Sequence, residues 1–153
     1  MSGFSRHELE FCKDVTKRLI DHPLCKAYLR PVNPELDGAH DYFKIIKHPM
    51  DLGTIMKKLE NNEYTKVQEW QSDIKLVWDN SKEYNTGKGV LHLTADKMIK
   101  VCNKIFKYIP KTEVDIWILK LSKANAKLAK FLSKPPSEES LLPKLPEYEI
   151  KEE

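Results

Sequence analysis

Leu91, Ala95, Met98, Cys102, Ile105 and Ile109 recur at steps of four, three, four, three and four residues, which is the spacing of one helix face packed in a bundle. A strand cannot carry this pattern, because its side chains alternate faces at every residue. Three earlier segments read the same way. Ser5-Arg6-His7-Glu8 has the S-x-x-E form of a capping box, and Leu9, Cys12, Val15 or Thr16, and Leu19 follow at helical spacing up to His22-Pro23. Asp51 suits the N-cap of a short helix running through Leu52, Ile55, Met56 and Leu59 to Asn61-Asn62, weakened slightly by Gly53. Thr65-Lys66-Val67-Gln68 repeats the capping-box pattern, and Val67, Trp70, Ile74, Val77 with Trp78, Ser81 and Tyr84 carry one face down to Tyr84-Asn85. Thr86-Gly87-Lys88-Gly89 then turns the chain into the fourth helix, which Pro110 stops or kinks. Strand alternation is almost absent, so the expected class is all-α.

Between the first two helices, residues 24–51 contain Pro31, Pro34, Gly38 and Pro49 and sustain no period. A loop of that length inside a small helical domain is usually functional. After Pro110 a second amphipathic stripe runs through Val114, Trp117, Leu121, Ala124, Leu128 and Phe131, predicting an additional helix within residues 111–133. Residues 134–153 hold four prolines among Ser, Glu and Lys and read as a flexible tail.

Bulk properties narrow the function. A chain of 153 residues is most simply one domain with a real core. A formal net charge of +3 does not by itself imply nucleic acid. Cys12, Cys25 and Cys102 show no CxxC and no metal-ligand spacing, and read as reduced thiols of a cytosolic or nuclear protein. With no apolar leader and no run of 18 apolar residues, neither secretion nor membrane insertion is expected. Neither GxSxG, HExxH, a P-loop, Rossmann glycines nor a glycine-rich acetyl-CoA loop appears, and Asp73, Asp79 and Glu83 fit a solvated helix face. No enzyme, cofactor or metal is expected.

The chemistry-bearing residues lie between Tyr28 and Asn85. The stretch opens Tyr28-Leu29-Arg30-Pro31-Val32 and passes through Asp41-Tyr42-Phe43-Lys44-Ile45-Ile46. It continues with Pro49-Met50-Asp51-Leu52-Gly53-Thr54-Ile55 and closes on Tyr84-Asn85. An apolar loop residue, a loop tyrosine and a helix-terminal Tyr-Asn pair are suited to holding a neutral amide; none is a nucleophile, a metal ligand or a phosphate cradle. Taken alone, Asn85 reads more simply as a helix C-cap, and Tyr42 and Tyr84 as core tyrosines. The order and spacing together resemble a bromodomain, over roughly residues 5–110. That resemblance implies a left-handed four-helix bundle, a long loop between helices one and two, and a module that binds acetylated lysine. It implies that Asn85 donates to the acetyl oxygen, that Tyr42 reaches that oxygen through an ordered water, and that Val32, Tyr28, Tyr84 and Leu91 form the walls. Val90 takes the place of Leu91 if the turn shifts register.

Acetylation removes the lysine charge and leaves a planar amide with one carbonyl and one methyl. A neutral hydrogen bond contributes about 0.5–1.5 kcal/mol net and burial of the methyl about 0.8 kcal/mol. Desolvating an unmodified ammonium costs several kcal/mol, so selectivity rests on rejecting the charge. Two departures from the family pattern bear on peptide preference: Lys26-Ala27-Tyr28 stands where a Trp-Pro-Phe shelf is common, and His40 stands where a proline often precedes the Asp-Tyr pair. The expected partners are acetylated histone tails or other acetylated proteins, in the nucleus, with Glu35, Asp37 and Asp41 attracting basic residues of a tail. Two rival readings remain. In one the stripe at 112–133 makes the protein a helical scaffold or dimerisation module. In the other, Lys57-Lys58, Lys97, Lys100, Lys104, Lys107 and the lysines of 120–134 touch nucleic acid; these lack any groove-reading motif, and weak or absent direct binding is expected.

Overall fold

The computed structural model describes residues 4–87 and 89–134. All regular structure among them is helical: α1 (Arg6–Asp21), a 3-10 turn (Pro23–Tyr28), α2 (Tyr42–Ile45), α3 (Leu52–Glu60), α4 (Val67–Tyr84), α5 (Val90–Phe106) and α6 (Glu113–Leu132). The helices α1, α3, α4 and α5 are the four expected, and they pack as a bundle with α4 against α5 and α3, and α1 against α3 and α4. The flexible tail expected for 134–153 lies, from residue 135 on, outside the described residues.

The sequence stripes become one core. Cys12, Val15 and Leu19 of α1 meet Leu52, Ile55 and Leu59 of α3, Trp70, Ile74, Val77 and Trp78 of α4, and Ala95, Met98 and Cys102 of α5. Each fully buried aliphatic side chain contributes about 1.5–3 kcal/mol. Val15 and Thr16 are both buried; Thr16 Oγ1 donates to the Cys12 carbonyl at 2.7 Å and accepts Trp70 Nε1–H at 3.0 Å. The three cysteines are buried free thiols, and burial pushes Cys12 up to about 12 and Cys25 and Cys102 up to about 11. They pack as small apolar side chains and are poor nucleophiles.

Local chemistry sets the helix ends. Ser5 Oγ accepts the Glu8 N–H at 3.1 Å while Glu8 accepts the Ser5 N–H at 2.8 Å, the expected reciprocal cap. Asp51 caps α3 by accepting from Thr54 N and Thr54 Oγ1 at 2.9 and 2.6 Å. At α4 the expected box is displaced by one residue. Glu69, not Gln68, reaches back, accepting from Thr65 N at 2.7 Å and Thr65 Oγ1 at 3.0 Å, because the helix begins after Lys66. The fourth helix ends at Phe106, before Ile109 and Pro110.

Two readings are corrected. Residues 24–51 are not wholly irregular: they hold the 3-10 turn and α2, and Ala39, Tyr42 and Ile46 form a second small buried cluster with Val32 and Tyr84 packed against it. The long loop therefore has a core of its own. Asp73 is not a solvated residue. It accepts from Lys58 Nζ at 2.6 Å and Tyr64 Oη at 2.7 Å, and so ties α4 to α3 and the turn after it.

Gly53 has a reason the sequence did not disclose. A Cβ at this position would strike the Leu29 carbonyl oxygen, so its absence lets α3 seat against the segment leaving the 3-10 turn. Asn80 Nδ2 donates to the His48 carbonyl at 2.7 Å, fixing the exit of the loop onto α4. Among the described residues no helix is long and apolar enough to cross a membrane.

The second compact unit begins at Trp117, within α6. Asp115 accepts from Lys111 N and Thr112 N, both at 3.0 Å, at the start of that helix, and no residue of α6 is buried.

Candidate functional site

Where α4 ends and α5 begins, under the long loop, a cavity of about 370 Å³ opens. Tyr28, Val32, Tyr42, Tyr84, Asn85 and Leu91 all line it, together with Met50, Val77 and Ser81. Val90, the alternative to Leu91, is 78% exposed and does not line the cavity.

Asn85 is a C-cap and a cavity residue at once. Its backbone N–H donates to the Ser81 carbonyl at 3.0 Å and its side-chain Nδ2 to the same oxygen at 2.8 Å. A carbonyl only accepts, so this contact decides which side of the amide carries nitrogen. One N–H is held by Ser81, and the second makes no hydrogen bond among the described residues. His92 Nδ1 lies 2.9 Å from the Asn85 carbonyl oxygen, which requires that nitrogen to carry the proton. His92 Nε2 faces Asp96 Oδ2 at 3.8 Å, and Asp96 in turn accepts from Lys82 Nζ at 2.6 Å. Asn85 is thus gripped from α4 through its amide and from α5 through its backbone.

The aromatic walls are fixed by different means. Tyr28 Oη lies 2.8 Å from Ser81 Oγ and donates to the Leu91 carbonyl at 3.1 Å, joining the 3-10 turn to α4 and α5. Its ring stands edge-on to Trp78 with centroids 5.0 Å apart, and burial raises its ionisation above the usual tyrosine range. Tyr42 belongs to the loop's own cluster, edge-on to Tyr84 at 5.0 Å and to Phe43 at 5.6 Å, and burial raises it likewise. Tyr84 Oη donates to Asp41 Oδ1 at 2.7 Å, and that bond raises the phenol. Val32, Met50, Val77 and Leu91 give the cavity apolar lining, while Lys26, Arg30, Asp37 and Asp51 bring charged side chains to it.

Of the acidic loop residues expected to attract a basic tail, two are already engaged, one within the loop and one by α4. Asp37 accepts from both terminal nitrogens of Arg30, at 3.2 and 2.7 Å, and from the Asn33 N–H at 2.8 Å, which hold its carboxyl below the usual range. Asp41 holds Tyr84. Lys26 stands at the cavity in place of the aromatic shelf. Ser81 and His92 are the residues that sequence reasoning missed. Ser81 appeared only as a member of the α4 stripe, although its place four residues before Asn85 makes its carbonyl the natural partner of that side chain. His92 carries no sequence signal, since its contact depends on how the turn returns.

A helical bundle with a cavity between two helix ends and a structured loop, lined by an oriented side-chain amide, has the form of a small-ligand binding module. A family model described as Bromodomain matches residues 12–97. A bromodomain-containing protein of Schizosaccharomyces pombe is 33% identical over 114 residues, covering 72% of this chain. An ankyrin repeat, bromo and BTB domain-containing protein of Dictyostelium discoideum is 36% identical over 104 residues, 68% of this chain. Transcription factor GTE1 of Arabidopsis thaliana is 38% identical over 84 residues, 55% of this chain. The chain spans only 16%, 13% and 22% of those three relatives' lengths. The chain belongs to the bromodomain family, whose module binds acetyl-lysine and is not an enzyme.

Proposed function

We propose that this chain reads acetylated lysine on histone tails in the nucleus, with Asn85 donating to the acetyl oxygen and Tyr42 holding a bridging water. Val32, Tyr28, Tyr84 and Leu91 wall the slot, and no chemical step is performed. The observation that carries this reading is the convergence of residues from Tyr28 to Leu91 on one cavity, where the Asn85 amide is oriented by Ser81. An apolar floor suits the acetyl methyl and penalises an ammonium. The transcription-factor name of the Arabidopsis relative supports a nuclear setting. Titration calorimetry with histone H3 and H4 tail peptides tests it. Acetylated peptides bind with modest affinity and unmodified ones do not; equal heats from both forms refute the reading.

His92 is expected to act through Asn85. His92→Ala lowers affinity for an acetylated peptide about three- to tenfold while the melting temperature stays within a few degrees, since a single neutral contact is removed. His92→Gln, which can still donate to the Asn85 carbonyl, recovers part of the loss. Wild-type affinity in both variants removes His92 from the site.

A further inference from the structure

The charged side chains that line the cavity differ in what they offer a ligand. Asp51 is buried and spends both carboxylate oxygens on Thr54, Oδ1 on the backbone N–H at 2.9 Å and Oδ2 on the hydroxyl at 2.6 Å. Arg30 and Asp37 neutralise each other through two contacts, and Asp37 also accepts the Asn33 N–H. Beyond the lining, Asp41 holds the Tyr84 hydroxyl and Asp96 is paired with Lys82. Lys26 is the exception. It is exposed, and among the described residues it makes no hydrogen bond and no ion pair. All of these residues belong to the compact unit Met1–Ile116.

The backbone beneath Lys26 is fixed. A 3-10 turn repeats every three residues, so Cys25 and Tyr28 share its inner face. Cys25 is fully buried, and the Tyr28 hydroxyl is tied to Ser81 and Leu91. Lys26 and Ala27 take the outer side, where both line the cavity.

An acetyl-lysine in the slot leaves its own backbone at the mouth, and successive Cα atoms of a peptide are about 3.8 Å apart. The flexible stem of Lys26 therefore brings a compact cation within reach of side chains one or two residues from the mark. Little on the acidic side opposes it. Of the three acidic loop residues, only Glu35 keeps its carboxylate uncommitted among the described residues, and it does not line the cavity.

We propose that Lys26 is a specificity-determining residue that selects peptides carrying an anion within two residues of the acetyl-lysine, either a carboxylate or the phosphate of a modified serine. The proposal rests on the acetyl-lysine reading of the cavity and adds a preference for what stands beside the mark. In a tail rich in lysine and arginine, whose cations Lys26 repels, a phosphorylated serine supplies that anion.

The test is calorimetric titration of the full chain with a neutral peptide holding one acetyl-lysine. Versions of it place a single Glu, phosphoserine or Lys at each of the two positions on either side. Glu at the favoured position is expected to tighten binding about two- to fivefold, the scale of an exposed ion pair, and phosphoserine by more. Lys at that position weakens binding. The gain disappears in Lys26→Gln, becomes a loss in Lys26→Glu, and shrinks as salt is raised from about 0.05 to 0.5 M. Both variants change an exposed side chain, and thermal melting checks that they fold as the wild type does. A gain from both anions supports recognition of negative charge in general; a gain from phosphoserine alone supports recognition of phosphate. The proposal is overturned if flanking charge changes nothing while acetyl-dependent binding is retained, or if the preference survives in Lys26→Gln. It is also overturned if Lys26→Gln weakens every acetylated peptide alike, the mark of a donor to the peptide backbone. Failure of the folded chain to bind any acetylated peptide instead overturns the acetyl-lysine reading, and this proposal with it.

Discussion

Asn85→Ala is expected to weaken binding of an acetylated histone peptide at least tenfold and to erase its preference over the unmodified peptide, with the fold intact. Among the described residues the lost donor is the only side-chain amide lining the cavity, and a buried carbonyl left without a donor costs about 1–3 kcal/mol. A factor of ten corresponds to about 1.4 kcal/mol, well inside that range. The fold survives because the C-cap bond from the Asn85 backbone N–H to the Ser81 carbonyl does not involve the side chain. Calorimetry and thermal melting together separate the two effects. Asn85→Asp is the sharper control: it keeps the shape, cannot donate when ionised, and sets a carboxylate against the acetyl oxygen. Retained acetyl preference in both variants with unchanged melting would mean that another group reads the amide.

The largest stability effect is expected at Trp70. It is fully buried among α1, α4 and α5, stacks edge-on to Phe106 at 5.4 Å and donates Nε1–H to Thr16 at 3.0 Å. Replacing a buried tryptophan by alanine costs about 3–5 kcal/mol, a large share of the 5–15 kcal/mol that holds a domain together. Trp70→Ala is therefore expected to lower the melting temperature by about 10–20 °C, measured by circular dichroism. Trp70→Phe keeps one aromatic ring against Phe106 but loses the hydrogen bond and part of the indole volume, for about 1–3 kcal/mol. Similar melting of the two variants would show that the hydrogen bond, not the packing, holds α1 to α4. Trp70 does not line the cavity, so acetyl-peptide affinity of the folded fraction is expected to stay near wild type.

The four bundle helices were legible because each has a local cause. A stripe at 3.6-residue period needs only its own residues, and Ser5 and Asp51 cap within three residues of themselves. The α4 cap slipped by one position because Gln68 and Glu69 are both competent acceptors. Which of them closes depends on where the chain leaves the preceding turn. The loop was legible as a loop from its prolines, but its internal order was not. Ala39, Tyr42 and Ile46 fall at steps of three and four, but over too short a run among the loop prolines to stand out, and they become a core only when Val32 and Tyr84 pack against them.

By itself the sequence determined an all-helical chain through its period and caps, and its resemblance to bromodomains named six residues that line one cavity. Only the tertiary structure decided what those residues are free to do. The hold of Asp41 on Tyr84 and the need for Gly53 at Leu29 arise between segments distant in sequence. The second hydrogen bond of Asn85, the grip of His92 on its carbonyl and the pairing of Asp37 with Arg30 are short-range contacts, set by how the helix end and the turns close. Such contacts depend on distances of a few ångströms across the folded chain, and no periodicity encodes them.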